Sequence, residues 1–284
     1  AGRQVLQRSI GNGIPGFHRR GVEIGKITTM RLRQICLVAE QLLPAIGELQ
    51  RILGLGQGFK DEGVAQWGLE NRVVPLGNEF IEVVAPVEEN TSAGRYLATR
   101  GGNGGYVVVL QCEDGLAHRK RLTEMGIRTV FTGDRDPNYW LTQYHPADCN
   151  GILLEIDSVN AALDYQDPQC DWPPAGPDWR DNVKTDVTAE MVGLELQGPD
   201  PKRFAELWSD ILDIPVFQQD GVLQMRLSNA EIRFVEAVDG RDCGIRGLDI
   251  RVADRQFVLE QAAAAGCRIS DTEIVVCGTR FFLV

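Results

Sequence analysis

The stretch "QYHPADCNGILLEID", from Gln143 to Asp157, places one carboxylate, Glu155, within an apolar run that follows a polar turn. A strand this apolar buries at least one face. A carboxylate carried into it is costly unless it is paired, hydrogen-bonded or bound to a cation. Glu155 is therefore a candidate for acid–base chemistry or cation binding. His145, just ahead of Pro146, is placed to orient a ligand at a cavity mouth, a role weighed against a purely structural one in the turn. "RGGNGGY" (Arg100 to Tyr106) is Gly-rich, but no helix follows it directly and no Lys-Ser/Thr pair ends it, so it is not a phosphate-binding P-loop. Its glycines suit a bend into a strand. Arg95, Tyr96 and Tyr106 flank this loop and are candidates to bind an anionic or planar substrate. "WGLEN" offers Trp67 and Asn71 as an aromatic and an amide for a cavity wall.

Bulk properties narrow the classes. The 284 residues suffice for one large or two ordinary domains. Hydrophobic residues make up 43% and charged residues 24%, with a net charge of −11. That balance disfavours nucleic acid or an anionic membrane as partner, and no apolar run approaches the roughly 20 residues of a membrane span. The seven cysteines are odd in number and form no CxxC pair. They read as buried thiols in a reducing compartment, so a cytoplasmic location is expected. Residues 1–30 hold Arg3, Arg8, Arg19, Arg20 and Lys26 against the single acid Glu23 and show no period. They read as an N-terminal extension outside the core.

From Arg31 the pattern is regular. "RLRQICLVAE" reads as a strand. The helical period of Leu42, Ile46, Leu49, Ile52 and Leu53 follows, and then two strands joined through Gly77-Asn78. "GGYVVVLQCED" and "GLAHRKRLTEMGI" repeat the strand and helix, and "RTVFTG", "YWLTQYH" and "GILLEID" supply three more strands. A Pro-rich stretch over 158–187 reads as a linker or surface wrap. Beyond it the design returns: "EMVGLELQGPDPKRFAELWSDILDI" echoes the first strand and helix, and "GIRGLDIRVADRQFVLEQAAAAGCRIS" echoes the second. The expectation is an α+β protein of four βαβββ units, paired within 31–157 and within 188–284, forming two open, curled mixed sheets with helices outside.

This order, with "RQICLVAEQLLPAIGELQRILGL" and "HPADCNGILLEID", resembles the vicinal oxygen chelate superfamily. That group includes glyoxalase I, extradiol dioxygenases, methylmalonyl-CoA epimerase and bleomycin-resistance proteins. The resemblance covers about 250 residues and speaks to fold more than to reaction. It implies that paired units enclose a divalent metal held from their first and last strands. Carried over position by position, Gln34, Glu82 and Glu155 become the metal ligands. Gln34 lies seven residues before Gln41, and the same offset from Asp114 gives Val107, which cannot bind metal. Three oxygen donors suit Mg²⁺ or Mn²⁺ better than Zn²⁺ or Fe. The alternative is a metal-free pocket in which Glu82 and Glu155 act as acid and base.

In the second half the same offset gives Gly193 and Gly247, the last strand "TRFFLV" lacks a carboxylate, and Glu236 stands near the place of Glu82 without partners. The first half should therefore carry the chemistry. The resemblance implies a lyase, isomerase or epimerase acting on a small carbonyl compound, with Glu155 and Glu82 as catalytic groups. The second reading is a protein that sequesters a small molecule without turnover. A dioxygenase is third, because its two-His-one-carboxylate iron site is missing. Homodimer formation is the expected assembly.

Overall fold

The computed structural model of the protein describes residues 30–136, 138–159 and 165–284. The extension expected over 1–30 lies outside the described residues except for Met30, which opens the first strand. The first half runs β1 (Met30–Val38), α1 (Leu42–Leu53), β2 (Leu69–Leu76), β3 (Glu79–Pro86), α2 (Ser92–Arg100), β4 (Gly104–Cys112), α3 (Gly115–Glu124), β5 (Thr129–Asp136), β6 (Tyr139–Tyr144) and β7 (Leu153–Val159). The second runs β8 (Thr188–Gly198), α4 (Pro201–Leu212), β9 (Val216–Gln219), β10 (Val222–Arg226), β11 (Glu231–Glu236), β12 (Gly244–Val252), α5 (Arg255–Ala264), β13 (Glu273–Val276) and β14 (Thr279–Leu283). Each half forms one seven-stranded mixed sheet, in the orders β2-β3-β1-β4-β7-β6-β5 and β13-β14-β12-β8-β11-β10-β9. The expected α+β class with two open mixed sheets is borne out.

Local chemistry explains the repetition. Asp114, Asp200 and Asp254 each cap a helix by accepting from the backbone N–H three residues on, at 2.8, 3.0 and 2.9 Å. This satisfies one of the donors that a helix start leaves unpaired. In α1 a buried stripe of Leu42, Ile46, Leu49, Ile52 and Leu53 faces the sheet, and Gly54 ends the helix at φ 65°. The apolar cluster under the helices is continuous between the halves, from Leu49 and Ile52 to Val258 and Leu259.

Two of the four units depart from βαβββ. In the first, the strand expected before β2 shrinks to a single bridge, Phe59 with Val73. In the fourth, it shrinks to Arg268 with Ile274. Helix α2 was not legible in the sequence. It is nine residues long, buries only Ala93 and Leu97, and is started by the Thr91 side chain.

The segment after β7 does more than connect. Trp172 and Trp179 are buried against Phe80, with ring centroids 6.3 and 5.1 Å away. A bulge in β1 between Leu32 and Gln34 adds Arg33 as an extra residue. Its guanidinium lies among these three rings and donates to the carbonyls of Asn78, Pro168 and Cys170 at 2.6, 2.9 and 2.9 Å. Among the described residues, no helix is long and apolar enough to cross a membrane.

Candidate functional site

Alternation along strands brings every second side chain to one face. On the first sheet this face carries Gln34 and Cys36 of β1, Glu82 and Val84 of β3, Val107 and Val109 of β4, and Leu153 and Glu155 of β7. Together with Trp67, Tyr96, Tyr106 and Phe131 they line a cavity of about 500 Å³. The sheet register pairs Cys36 with Glu82 and Val109 with Glu155. It also pairs Gln34 with Val109 and Cys36 with Val107 across the antiparallel centre. Val107 is thus the counterpart of Gln34, as the seven-residue offset implied, and this fourth position is an apolar wall.

Glu82 and Glu155 are 8% and 6% exposed. Each oxygen of Glu82 accepts from an amide, Gln34 Nε2 at 2.9 Å and Asn71 Nδ2 at 2.6 Å. Asn71 is held in turn by the Asp61 backbone N–H at 3.0 Å. Burial outweighs these bonds and raises the Glu82 pKa to about 7, with the charge of Glu155 pushing the same way. Gln143 donates to Glu155 Oε2 at 2.7 Å. Two residues on, along the same face, Asp157 is fully buried and accepts from Tyr139 Oη at 2.6 Å. Burial and the neighbouring Glu155 hold the Asp157 carboxyl well above the usual carboxylate range.

Gln34 differs from the ligand the resemblance implies. Trp172 Nε1, which can only donate, points at Gln34 Oε1 at 2.8 Å. The oxygen is committed there and the NH₂ faces Glu82. The set therefore offers two carboxylates and an amide N–H rather than three oxygens, and it does not fit a divalent cation held by Gln34, Glu82 and Glu155. Among the described residues no three His, Cys, Asp or Glu side chains group as metal ligands either. Gln34 as oriented here therefore does not serve as an oxygen ligand for Mg²⁺ or Mn²⁺.

Of the other candidates, Trp67, Tyr106 and His145 line the cavity. Trp67 stands edge-on to Phe131, centroids 4.9 Å apart. His145 Nδ1 accepts from the Ala147 backbone N–H at 3.1 Å, which leaves the proton of the neutral ring on Nε2. Asn71 lies behind the wall and acts on Glu82 instead of a ligand. Arg95 does not line the cavity, though its charge acts on Tyr106. It is exposed and bonds to Asn90 O and Ser92 Oγ around the start of its own helix. Sequence reasoning missed Cys36, Gln143 and Asp157. All three lie two residues, or one strand register, from Glu82 or Glu155, so alternation alone pointed to them.

The second sheet is closed at the corresponding place. Arg233 pairs with Glu195 in the register, as Glu82 does with Cys36, and Phe282 pairs with Asp249, as Glu155 does with Val109. Arg233 bridges Glu195 at 3.2 Å and Asp249 at 2.8 Å, Arg246 adds a second contact to Glu195, and the Arg233 guanidinium lies 5.5 Å from the Phe282 ring centre. A salt-bridged plug replaces the carboxylate site. Glu236 does not stand in the place of Glu82. It lies three residues beyond Arg233, paired with Gly198, and is exposed. Substituting Glu236→Ala is expected to change ligand affinity less than twofold by calorimetry. A tenfold loss would move the site to the second half.

Comparison with known proteins agrees with this architecture. The family model described as "Glyoxalase-like domain" matches residues 35–212. An ethylmalonyl-CoA/methylmalonyl-CoA epimerase from Cereibacter sphaeroides is 27% identical over 135 residues, covering 45% of this chain and 98% of its own. A mutant of 4-hydroxymandelate synthase from Streptomyces coelicolor superposes with a TM-score of 0.63 at 14% identity, covering 86% of this chain and 78% of that one. A hypothetical protein from Staphylococcus aureus gives 0.59 at 13% identity, with 90% and 98% covered. At these identities the two structures attest the fold alone. With two mixed sheets built from paired strand–helix–strand units and a family match across most of the chain, the protein belongs to the glyoxalase-like domain family of the vicinal oxygen chelate superfamily.

Proposed function

We propose that the first-half cavity is an active site for proton transfer at a carbon next to a carbonyl group, an isomerase or epimerase reaction on a small carbonyl compound. The observation that carries this reading is Glu82. It is a carboxylate on the cavity wall, fixed by two amides, with a pKa raised to about 7, where it exchanges protons readily at neutral pH. Glu155 lies on the same cavity wall, with β1 and β4 between its strand and that of Glu82. One carboxylate removes the proton and the other returns it. Negative charge developing on the carbonyl oxygen is met by the Tyr106 hydroxyl, whose pKa burial raises to about 12 so that it stays a donor, and by His145 Nε2–H. The aromatic wall excludes water from the enolate.

The test is exchange of the proton in D₂O. A panel of carbonyl compounds with an acidic α-hydrogen, methylmalonyl-CoA first in view of the epimerase relative, is incubated with the protein and read by NMR. Deuterium should enter the α-position, and chelation of divalent ions should leave the rate unchanged. A loss on chelation that Mn²⁺ restores would show that Gln34 turns its oxygen inward after all. Saturable binding across the panel without exchange would favour sequestration. The one feature supporting that second reading is the apolar Val107 and Val109 wall facing Trp67, Tyr96 and Phe131.

A further inference from the structure

A second, smaller cavity of about 190 Å³ lies where the two halves meet. It is lined by Arg100 from the end of α2 and by Asp239, Arg241, Arg246 and Arg280 from the second half. Four guanidinium groups face one carboxylate. The junction is tight: a Cβ on Gly278, in the β13–β14 turn, would meet Asn103 O at 1.9 Å. That contact carries the chain past Arg100, which donates to Asn103 O at 3.1 Å and Gly278 O at 3.0 Å.

The positive charge here is only partly offset. Arg246 pairs with Glu195 and Arg280 with Glu273. Arg100 and Arg241 form no salt bridge among the described residues, and Arg246 Nε is buried without a hydrogen-bond partner. Asp239 is already engaged by Gln197 Nε2 at 2.8 Å and the Arg241 backbone N–H at 3.0 Å. The Asp239 charge offsets part of the repulsion among the guanidinium groups, yet burial and the Arg241 charge still lower the Arg100 pKa. Planar guanidinium forks converging on a small polar space are suited to a tetrahedral oxyanion.

We propose that this interdomain pocket binds a phosphate group, at a site distinct from the carboxylate cavity. The two are neighbours across α2, since Ser92, Ala93 and Tyr96 line one and Arg100 the other. The phosphate adds to Asp239 the negative charge that four guanidinium groups call for, and accepts from Arg100 and Arg241.

Calorimetric titration of inorganic phosphate into the full chain in a chloride buffer tests this. Saturable binding is expected, with affinity about tenfold weaker in Arg241→Ala, an exposed residue whose removal leaves the fold intact. Arg226→Ala, a surface arginine outside the pocket, should bind as the wild type does. Equal affinity in Arg241→Ala and wild type, or equal losses in both variants, would overturn the proposal, as would the absence of saturable binding. A parallel titration with a nucleoside 3′-phosphate separates the sources. Tighter binding than inorganic phosphate identifies the pocket as the seat for the phosphate arm of a larger ligand, and equal or weaker binding identifies a free-ion site.

Discussion

Replacing Glu82 with Gln should abolish most proton exchange while flattening the pH dependence of stability. A positioned acid–base group contributes about 10²- to 10⁴-fold, so the exchange rate should fall by about three orders of magnitude. The stability effect follows from linkage. The unfolded chain releases this proton near the ordinary carboxyl value of 4.5, whereas the folded protein keeps it to about 7. Between those pH values the folded state binds more protons, so stability falls as pH rises. Ionised Glu82 costs about 3 kcal/mol above pH 7 relative to pH 4.5 and below. The introduced amide removes this slope, but Gln34 and Asn71 both donate to the present carboxylate, so one contact becomes donor against donor. The net gain at pH 8 should therefore be smaller, about 1–2 kcal/mol. Urea unfolding at pH 5 and pH 8 measures it. An unchanged difference between the two pH values in the variant would show that Glu82 titrates normally.

Much of this arrangement was readable from strand periodicity. Glu155 announced itself as a carboxylate within "ILLEID", and the seven-residue offset measured from Gln34, itself placed by the resemblance, gave Val107, which the register supports. What escaped was information carried by contacts distant in sequence. The orientation of Gln34 depends on the indole of Trp172, 138 residues away, in a Pro-rich stretch with no period. Arg33 carries no sequence signal of its burial, because a bulge cannot be seen in an alternating pattern. Helix α2 buries Ala93 and Leu97, too few residues to show an apolar stripe. The plug in the second sheet joins Glu195, Arg233, Arg246 and Asp249 from three strands, and each alone reads as a solvated charge. Periodicity fixes which face a side chain takes; partner identity needs the closed sheet.

The largest loss of stability should come from Arg33→Met. Arg33 is fully buried, and burial lowers its pKa only to about 10, so it stays charged at neutral pH. No carboxylate bonds it among the hydrogen bonds of the described residues; three carbonyls and three aromatic faces do. Met retains the length of the stem but leaves the carbonyls of Asn78, Pro168 and Cys170 without this donor and the rings of Phe80, Trp172 and Trp179 without their cation. Removing a buried charged partner of this kind costs about 3–5 kcal/mol. The loss should be local first, because two of the three carbonyls belong to the segment that carries Trp172. In the variant, limited proteolysis should cut within residues 165–183, and the urea midpoint should fall. Trp172→Phe separates the two roles of this segment. It keeps a ring over Arg33 but removes the N–H that fixes Gln34, so it should cost about 1 kcal/mol, leave proteolysis unchanged and still slow proton exchange at Glu82. If Arg33→Met costs less than about 1 kcal/mol and resists the protease as the wild type does, then the segment is held by its tryptophans alone and the guanidinium is a passenger.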